Sequence, residues 1–410
     1  MNHIMRSLLV SLCALFAGIE TFDIVWNSPS ERCSSKWEQP IELASHGIKF
    51  NDNQKFYGQT VVLFYTHALG TYPHVDKQTE QAKYGGIPQL VNTTDHIMHM
   101  TADINKAIPD VNFTGLAVID WEHWWPLWEA NWGSDKEIYK TLSINLARET
   151  HKRITNETLL QLIAEQEFNV AAKRFMLQTL KYAKLMRPQA KWGFYYYPLC
   201  SREPELTGHC NVSYMKLNDK LKWLFHECTA LYPSAYFYRS QRQQSQEFRH
   251  AYLQARLREA QRMAFEDKPI YLYITYAYNL YDPVMEFYEK ADLCSSIKQS
   301  ADAGIDGVVV WGSSASVGSK TKCRHVATYV SDLLGPYALL VVGMAEKCGQ
   351  TRCHAHGRCR RFYGPQCQTI SPMWYYACEC TLEYMGPTCQ SNVIEYLNSM
   401  GSKLMKLRTA

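Results

Sequence analysis

The sequence lacks the signatures of several common classes of protein. Neither G-x-G-x-x-G nor a P-loop follows the first predicted strand, which argues against nucleotide binding. The formal net charge is only +4 over 410 residues and no long basic run is present, so nucleic acid is not an expected partner. The C-terminus is polar and basic, without the hydrophobic tail that a lipid anchor requires. A chain of this length can form one large domain and one small one.

Long apolar runs are also scarce. The run at residues 8–17 follows Arg6, is too short to span a bilayer and leads into polar sequence. We therefore interpret residues 1–20 as a secretory signal peptide and not as a transmembrane anchor. Four N-x-[ST] sequons fit a secreted glycoprotein, although such triplets also arise by chance: Asn92, Asn112, Asn156 and Asn211. We predict a secreted, extracellular, monomeric protein with no membrane anchor.

Cysteine, in contrast, is abundant, with 14 residues, which agrees with an oxidising compartment. Cys13 lies within the signal peptide, so thirteen remain, and at least one has no partner within the chain. Six near the C-terminus, with Gly357 and Gly386 between them, resemble an EGF-like module: Cys348, Cys353, Cys359, Cys378, Cys380 and Cys389. This resemblance implies that the first pairs with the third, the second with the fourth and the fifth with the sixth. A zinc site is the alternative, which secretion disfavours, and no metal or other cofactor is predicted.

Strand-like and helix-like segments alternate through the rest of the chain. Predicted strands lie at residues 22–26, 60–65, 116–122, 192–196, 234–238, 270–275 and 307–311. The clearest predicted helix covers residues 158–186 and is followed by Pro188, and a second covers residues 245–264. Such alternation indicates a parallel sheet with crossover helices, either a doubly wound sheet or a barrel. The missing nucleotide motifs favour the barrel.

The segment at residues 116–122, Leu-Ala-Val-Ile-Asp-Trp-Glu, is typical of a buried strand that ends in two carboxylates. Because side chains alternate along a strand, Asp120 and Glu122 should share one face. Ionisation of one acid then raises the pKa of the other, so one carboxylic acid can stay protonated beside one carboxylate. Alternatively, the two acids could cap a helix or form a surface ion pair. The tryptophans that follow favour a catalytic role, because their rings can stack on the faces of sugars. In a barrel, groups at the C-terminal ends of strands are expected in the active site.

The tryptophan-rich segment at residues 116–132, with the pattern D-W-E-x-W…P-x-W-x-x-N-W, closely resembles the hyaluronidases. Further matches follow in the family's order: W-N-x-P-S at 26–30, L-G-T-Y-P at 69–73, G-G-I-P-Q at 85–89, W-G-F-Y at 192–195, A-L-Y-P-S-x-Y at 230–236 and W-G-S-S-A-S-V-G-S-K at 311–320. The last motif is most similar to those of arthropod venom and salivary hyaluronidases. The resemblance implies a catalytic barrel at residues 21–340, an EGF-like module at 345–392 and a basic polar tail at 393–410.

The same resemblance implies a distorted (β/α) barrel of about seven strands that hydrolyses internal β-1,4 linkages between N-acetylhexosamine and glucuronate. It also implies retention of the anomeric configuration without an enzyme nucleophile, because the acetamido carbonyl of the substrate attacks the anomeric carbon. By motif, Glu122 is the general acid and then the general base. Asp120 would orient the acetamide, stabilise the oxazolinium charge and help keep Glu122 protonated. Tyr195 and Tyr236 would position the acetamide and the reacting sugar.

Other matched residues are implied contacts of the substrate. Trp311 would form a wall of the acetamide pocket, and Ser313 follows it in the same motif. Tyr72 and Tyr273 match tyrosines that line the groove. Trp125 and Arg202 are also predicted to contact the substrate.

Two disulfide bonds in the barrel are also implied by the resemblance. Cys33 would pair with Cys323, and Cys200 with Cys210 across a loop beside the site. Three cysteines stay unassigned, although two of them could pair: Cys228, Cys294 and Cys367.

The sequence departs from the family pattern at two places. Trp125 stands where an arginine usually precedes the proline, and Ser201 and Arg202 follow Cys200 where Tyr-Asn is usual. Tryptophan can stack on a sugar but cannot bond a carboxylate in a bidentate manner. We hypothesise that Arg202 supplies the positive charge that Trp125 cannot, while a solvated loop position for Arg202 is the alternative.

Three functions follow from these observations. The first is endo-hydrolysis of hyaluronan, and the second is a chondroitin-preferring hydrolase of the same family. The third is a catalytically silent protein that binds glycosaminoglycans. Presence of both acids and of Tyr195 and Tyr236 argues against the third. Hyaluronan and related glycosaminoglycans are the predicted partners.

Overall fold

The computed structural model describes residues 22–201, 208–265, 268–362, 367 and 372–399. The strands are β1 Asp23–Asn27, β2 Lys49–Phe50, β3 Val61–Tyr65, β4 His74–Val75, β5 Ala82–Lys83, β6 Leu116–Asp120, β7 Lys191–Tyr196, β8 Tyr232–Pro233, β9 Tyr271–Ile274, β10 Gly307–Trp311, β11 Gly357–Arg361, β12 Tyr376–Cys380, β13 Tyr384–Met385 and β14 Ser391–Asn392. The α-helices are α1 Glu31–Ser35, α2 Thr93–Ala107, α3 Glu137–Thr150, α4 Glu157–Met186, α5 Val212–Lys220, α6 Lys222–Glu227, α7 Gln246–Met263, α8 Lys290–Leu293, α9 Gln299–Asp302, α10 Lys320–Tyr329 and α11 Gly335–Thr351.

Seven short parallel strands form the barrel, in the order β3-β6-β7-β8-β9-β10-β1. Isolated parallel bridges join β8 to β9, one from Leu231 to Ile270 and one from Ser234 to Tyr273. Between β1 and β3 the backbone ladder is interrupted, and the Asn51 side chain bonds the edge of β3 instead. Its Nδ2 donates to the Val61 carbonyl at 2.8 Å, and its Oδ1 accepts from the Val61 amide at 3.0 Å. The predicted distorted barrel is therefore confirmed.

The barrel interior is filled by side chains from alternate positions of its strands, as expected for a small closed barrel. These are Val25, Val61, Leu63, Leu116, Val118, Ala230, Tyr232, Tyr271, Tyr273 and Val309. Since Leu116 and Val118 point inward, the alternation of β6 also directs Asp120 toward the interior at the end of the strand. The interior cluster thus forms the floor on which the site rests.

Two predicted strand boundaries were wrong. The strand expected at residues 234–238 is the two-residue β8, because Pro233 has no N–H with which to continue the ladder. Beyond it, the Ala235 amide still donates to the Tyr273 carbonyl at 2.9 Å. Strand β6 ends at Asp120, so Glu122 lies just past the strand and not on it. The two long predicted helices correspond to α4 and α7.

Six disulfide bonds occur among the described residues. Five join the cysteines that the family resemblance pairs: Cys33–Cys323, Cys200–Cys210, Cys348–Cys359, Cys353–Cys378 and Cys380–Cys389. The sixth joins Cys294 to Cys367, and buried Cys228 keeps a free thiol. The sulfur atoms of Cys353, Cys359 and Cys378 lie within 4.8 Å of one another. Because all three are disulfide-bonded, they cannot act as thiolate ligands of zinc.

The C-terminal disulfide-rich segment packs against the N-terminal end of the barrel, opposite the site. It follows α11 and contains two antiparallel strand pairs, β11 with β12 and β13 with β14. Arg358 of β11 bonds Asp306, the residue that precedes β10, at 3.1 Å. The EGF-like identity of this segment and the predicted domain boundaries remain predictions.

One continuous helical segment of the described chain, Lys320–Thr351, is long and apolar enough to cross a membrane, with a mean hydropathy of 1.4 over an 18-residue stretch. Several of its side chains pack in the protein core, among them Cys323, Val326, Ala338 and Val341. A core helix of a soluble protein can have the same length and composition, so the segment is only weak evidence for a membrane span.

Candidate active site

A cavity of about 590 Å³ opens at the C-terminal ends of the barrel strands. It brings together seven of the residues singled out in the sequence: Asp120, Glu122, Tyr195, Tyr236, Tyr273, Trp311 and Ser313. They come from β6, β7, β9, β10 and the segments that follow the strands, so the parallel order of the barrel gathers them at one edge. Asp120 and Glu122 are the carboxylic acids among the described residues that line this cavity.

The Asp120 carboxyl is held in an unusual environment. Its Oδ1 is buried and has no hydrogen-bond partner among the described residues. Burial, and then the neighbouring Glu122, raise the pKa of Asp120 well above its ordinary value of 3.8. The charge of an ionised Glu122 therefore disfavours ionisation of Asp120.

Three tyrosines form the floor and one wall of the cavity. The Tyr195 hydroxyl lies 3.0 Å from Ser234 Oγ, and its ring packs edge-on against Tyr273 with 5.1 Å between centroids. Tyr236 lies next to Tyr195, at 6.0 Å between ring centroids. Burial raises the pKa of all three hydroxyls well above the ordinary value of 10.0, so they stay protonated and can donate hydrogen bonds. The buried Tyr273 hydroxyl has no protein partner within the described chain.

Trp311 ends β10 and forms the opposite wall. Its ring is stacked on Tyr236, with 5.8 Å between centroids and 17° between planes. Its indole Nε1 donates to the Tyr65 hydroxyl at 3.1 Å, and Tyr65 in turn stacks on Phe56. The indole plane is therefore fixed by a hydrogen bond on one edge and by a ring on one face.

Ser313 lies in the cavity lining but its hydroxyl already has a local partner. Its Oγ accepts from the Ala315 amide at 3.2 Å, which caps the short 3₁₀ helix Ser314–Val317. The side chain thus shapes the turn that follows Trp311 as well as lining the cavity.

Tyr72 is not placed in the cavity, so the expected groove-lining role does not fit this structure. Its ring is only 1% exposed and stacks on Trp121 at 4.6 Å between centroids. Its hydroxyl accepts from the Trp124 amide at 3.2 Å. Both partners hold the ring inside the core behind the acid pair. Tyr72 therefore supports the backbone on either side of Glu122 and does not face the groove.

Trp125 lies beside the site and outside the cavity lining. Its ring stacks on Tyr196 at 4.9 Å between centroids and meets Tyr197 edge-on at 5.5 Å. The ammonium of Lys136 lies 4.6 Å from the same ring. The predicted substrate contact of Trp125 is untested, but these neighbours already cover much of its ring. Arg202 lies outside the described residues.

Sequence similarity and structural similarity both identify the family. The hyaluronidase family model matches residues 15–371. The chain belongs to the hyaluronidase family. This glycoside hydrolase is 35% identical over 375 residues to a chondroitin hydrolase of Caenorhabditis elegans, a match that covers 90% of this chain and 80% of that protein. It is also 35% identical over 351 residues to hyaluronidase-1 of Bitis arietans, covering 83% and 77% respectively.

Among solved structures, the hyaluronidase is similar to bee venom hyaluronidase in complex with a hyaluronic acid tetramer. The TM-score is 0.70 at 32% identity, and the match covers 77% of this chain and 98% of that one. The predicted membership and fold are both confirmed by these comparisons.

Two residues of the hyaluronidase site were missed in the sequence. Tyr65 ends β3 and orients Trp311, and its position at a strand end is the same signal that identified the other site residues. Lys136 contacts the backbone of the acid segment from the start of α3. A lysine in a polar connecting segment carries no sequence signal for such a contact, because solvated lysines are common there.

Proposed function

We propose that the enzyme cleaves internal β-1,4 linkages of hyaluronan on the reducing side of N-acetylhexosamine and retains the anomeric configuration. Glu122 donates its proton to the glycosidic oxygen while the acetamido oxygen of the substrate attacks the anomeric carbon. The resulting oxazolinium ion is then opened by water, whose proton returns to the Glu122 carboxylate. No bond to an enzyme atom is formed.

The coupled acid pair is the observation that carries this proposal. While it holds a proton, the Asp120 carboxyl cannot attack the sugar, so binding of the acetamide is the role that suits it. A hydrogen bond from the acetamide N–H to Asp120 favours its carboxylate form, because donors stabilise the charged acceptor. The shared proton then moves to Glu122, where the leaving oxygen needs it. Substrate binding thus sets the protonation state that cleavage requires.

The aromatic residues supply position and exclude water. Tyr195 and Tyr236 offer protonated hydroxyls to the reacting sugar, and the Trp311 ring closes the pocket on the acetamide methyl group. Because the rings of Trp311 and Tyr236 are already stacked in fixed planes, less side-chain conformational entropy is lost when substrate binds.

The decisive experiment replaces Glu122 with Gln. The amide keeps the shape of the acid but cannot transfer a proton, so we expect a loss of activity on hyaluronan on the order of a thousandfold, with an unchanged melting temperature. Glu137→Gln is the matched control, because Glu137 pairs with Lys140 on the surface at 3.6 Å. Residual activity of Glu122→Gln above a tenth of wild type would rule out Glu122 as the acid. NMR of the first product formed tests whether the configuration is retained.

Chondroitin is the second candidate substrate, and the similarity to a chondroitin hydrolase favours its inclusion. The two polymers differ at one hydroxyl and in sulfation, while the acid pair and acetamide pocket serve both. Parallel digestion of hyaluronan and unsulfated chondroitin, compared through kcat/KM, separates a hyaluronan-specific enzyme from one that accepts both.

We also propose that the protein is a secreted, monomeric glycoprotein. The four sequon asparagines, Asn92, Asn112, Asn156 and Asn211, are all exposed. Asn92, Asn156 and Asn211 cap helices through side-chain oxygens that accept from backbone amides. Because a glycan attaches at Nδ2, it leaves that oxygen free to cap. Mass spectrometry of the secreted protein before and after glycosidase treatment tests the proposal.

A further inference from the structure

Lys136 is a charged residue that is unusually well buried. It immediately precedes α3 and is only 8% exposed. Its ammonium donates to the backbone carbonyls of Glu122 and of His123, the latter at 3.2 Å. The Trp125 ring lies 4.6 Å from the same nitrogen. Two carbonyls and one aromatic face thus satisfy the three donors of the ammonium group.

These contacts fall on the segment where the chain leaves β6. Residues there have no strand partner, so their carbonyls would otherwise require water. Lys136 fixes the peptide of the proposed acid itself, and it does so from a different element of the fold. Because Lys136 holds the backbone of Glu122, the Glu122 side chain has fewer orientations available when substrate binds.

We propose that Lys136 is a positioning residue for the acid, which clamps the Glu122 backbone and places a positive charge beside the acid pair. This inference rests on the proposed role of Glu122. When Glu122 has given its proton to the leaving oxygen, it becomes a carboxylate, and a nearby cation stabilises that form. The family pattern has an arginine at position 125. In this chain Lys136 supplies the positive charge instead, and its ammonium lies against the Trp125 ring.

Other titratable groups near this cluster have to be considered before any pH effect is assigned to Lys136. Burial lowers the pKa of His123 to about 4, so it is neutral where most measurements are made. The nearby tyrosines have pKa values far above neutrality and carry no charge. The titratable or charged groups that remain around Glu122 and Lys136 are Asp120, Asp135 and Lys77. His74 and Asp76 act on the neighbouring His123, and the His74 ring lies 4.4 Å from that of His123.

The test compares Lys136→Met and Lys136→Arg with wild type. Methionine keeps the length and apolar stem but removes charge and donors, so kcat on hyaluronan should fall about tenfold with little change in KM. Because loss of a cation raises the pKa of Glu122, the alkaline limb of the kcat/KM profile should move to higher pH. Lys136→Arg keeps the charge and should retain at least about half of kcat.

Lys140→Met is the matched control. Lys140 lies one turn further along α3, and its ammonium is 5.9 Å from the Trp128 ring, without contact to the Glu122 backbone. It should keep wild-type kcat and pH profile. If Lys136→Met is folded by circular dichroism and its alkaline limb does not move, the proposal is overturned. If wild type itself does not cleave hyaluronan or chondroitin, the proposed function fails instead.

Should Lys136→Met fail to fold, Lys136→Gln provides the second measurement, because glutamine can still donate to the carbonyls without charge. An unshifted alkaline limb in Lys136→Gln would overturn the charge role. A shifted limb with a kcat near wild type would support it and assign the clamp to hydrogen bonding.

Discussion

The two ends of strand β10 bury acids in opposite ways. At its C-terminal end, next to Trp311, the cavity holds Asp120 with a buried oxygen that has no partner in the described protein. At its N-terminal end, Asp306 accepts from the Ile270 amide at 2.8 Å and pairs with Arg358 at 3.1 Å. An acid without a partner destabilises the fold, whereas a paired one holds two segments together.

A second acid at the N-terminal end shows the same pattern. Asp302 bonds Lys298, Arg361 at 3.2 Å and the Tyr376 hydroxyl at 2.9 Å. Lys298 is only 2% exposed, so this network is largely dry. The comparison shows that burial alone does not mark a functional acid. We predict instead that a functional acid is marked by the absence of a partner at the open end of the barrel.

The largest effect is expected at the N-terminal end. Asp302→Ala leaves the buried Lys298 without its acid, so the free energy of unfolding should fall by about 3 kcal/mol. The kcat of the remaining folded enzyme should be unchanged, because the site lies at the other end. Urea unfolding and active-site titration measure the two quantities. Asp332→Ala is the control, since this exposed acid bonds only the neighbouring Ser331 hydroxyl in the described chain.

A decrease of less than about 0.5 kcal/mol in the free energy of unfolding of Asp302→Ala would contradict the comparison, because the network would then contribute no more than a surface ion pair. A decrease in kcat in proportion to the loss of stability would also contradict it. That outcome would mean that the two ends of the barrel are coupled.

The next effect is expected at the C-terminal end. Asp120→Asn should lower kcat about a hundredfold, because the neutral amide cannot stabilise the oxazolinium charge or share a proton with Glu122. Stability at pH 7 should be equal to wild type or higher. The raised folded-state pKa of Asp120 means that its contribution is favourable below 3.8 and is lost as pH rises through the folded value.

Asparagine does not ionise, so Asp120→Asn does not lose stability as the pH rises. Calorimetry at pH 7, with Asp332→Asn as the control, checks the sign of the stability change. A marked decrease in melting temperature would show that Asp120 has a structural partner after all.

The acid pair could be predicted from sequence because its signal is local. A hydrophobic strand that ends in D-x-E specifies both the strand and the direction of Asp120, and six of seven barrel strands lie within two residues of their predicted bounds. The exception is β8, where Pro233 and long-range bonds decide the boundary. Tyr72 was misplaced for a related reason, because a tyrosine in a motif does not reveal whether its ring faces the groove or the core.

The charged network could not be predicted from sequence at all. Lys298 and Tyr376 are 78 residues apart, and only the docking of the C-terminal segment brings them to 3.0 Å. The same holds for the bond between Cys294 and Cys367, which spacing left open. Contacts of this kind depend on how whole elements pack, which residue patterns within one element do not encode.

The smallest effect is expected at His96, which is buried beside Trp121 of the acid segment. Its Nδ1 accepts from the Thr71 amide at 2.9 Å and its Nε2 lies 3.0 Å from Thr179 Oγ1, so both nitrogens are used by the neutral ring. Burial lowers its pKa from 6.5 to about 4. For a histidine with a lowered folded-state pKa, stability is complete above 6.5 and is lost as pH falls toward 4.

We therefore expect the free energy of unfolding to decrease between pH 6.5 and 4, with His96 contributing at most about 1.4 kcal/mol per pH unit to that decrease. Glutamine can accept from Thr71 and donate to Thr179 without titrating, so His96→Gln should flatten this part of the profile. His99→Gln is the matched control, since His99 lies on the same helix and is half exposed. Urea unfolding at half-unit steps of pH measures the slope. An equally steep profile in His96→Gln would show that other groups, such as the buried His250, cause the acid sensitivity.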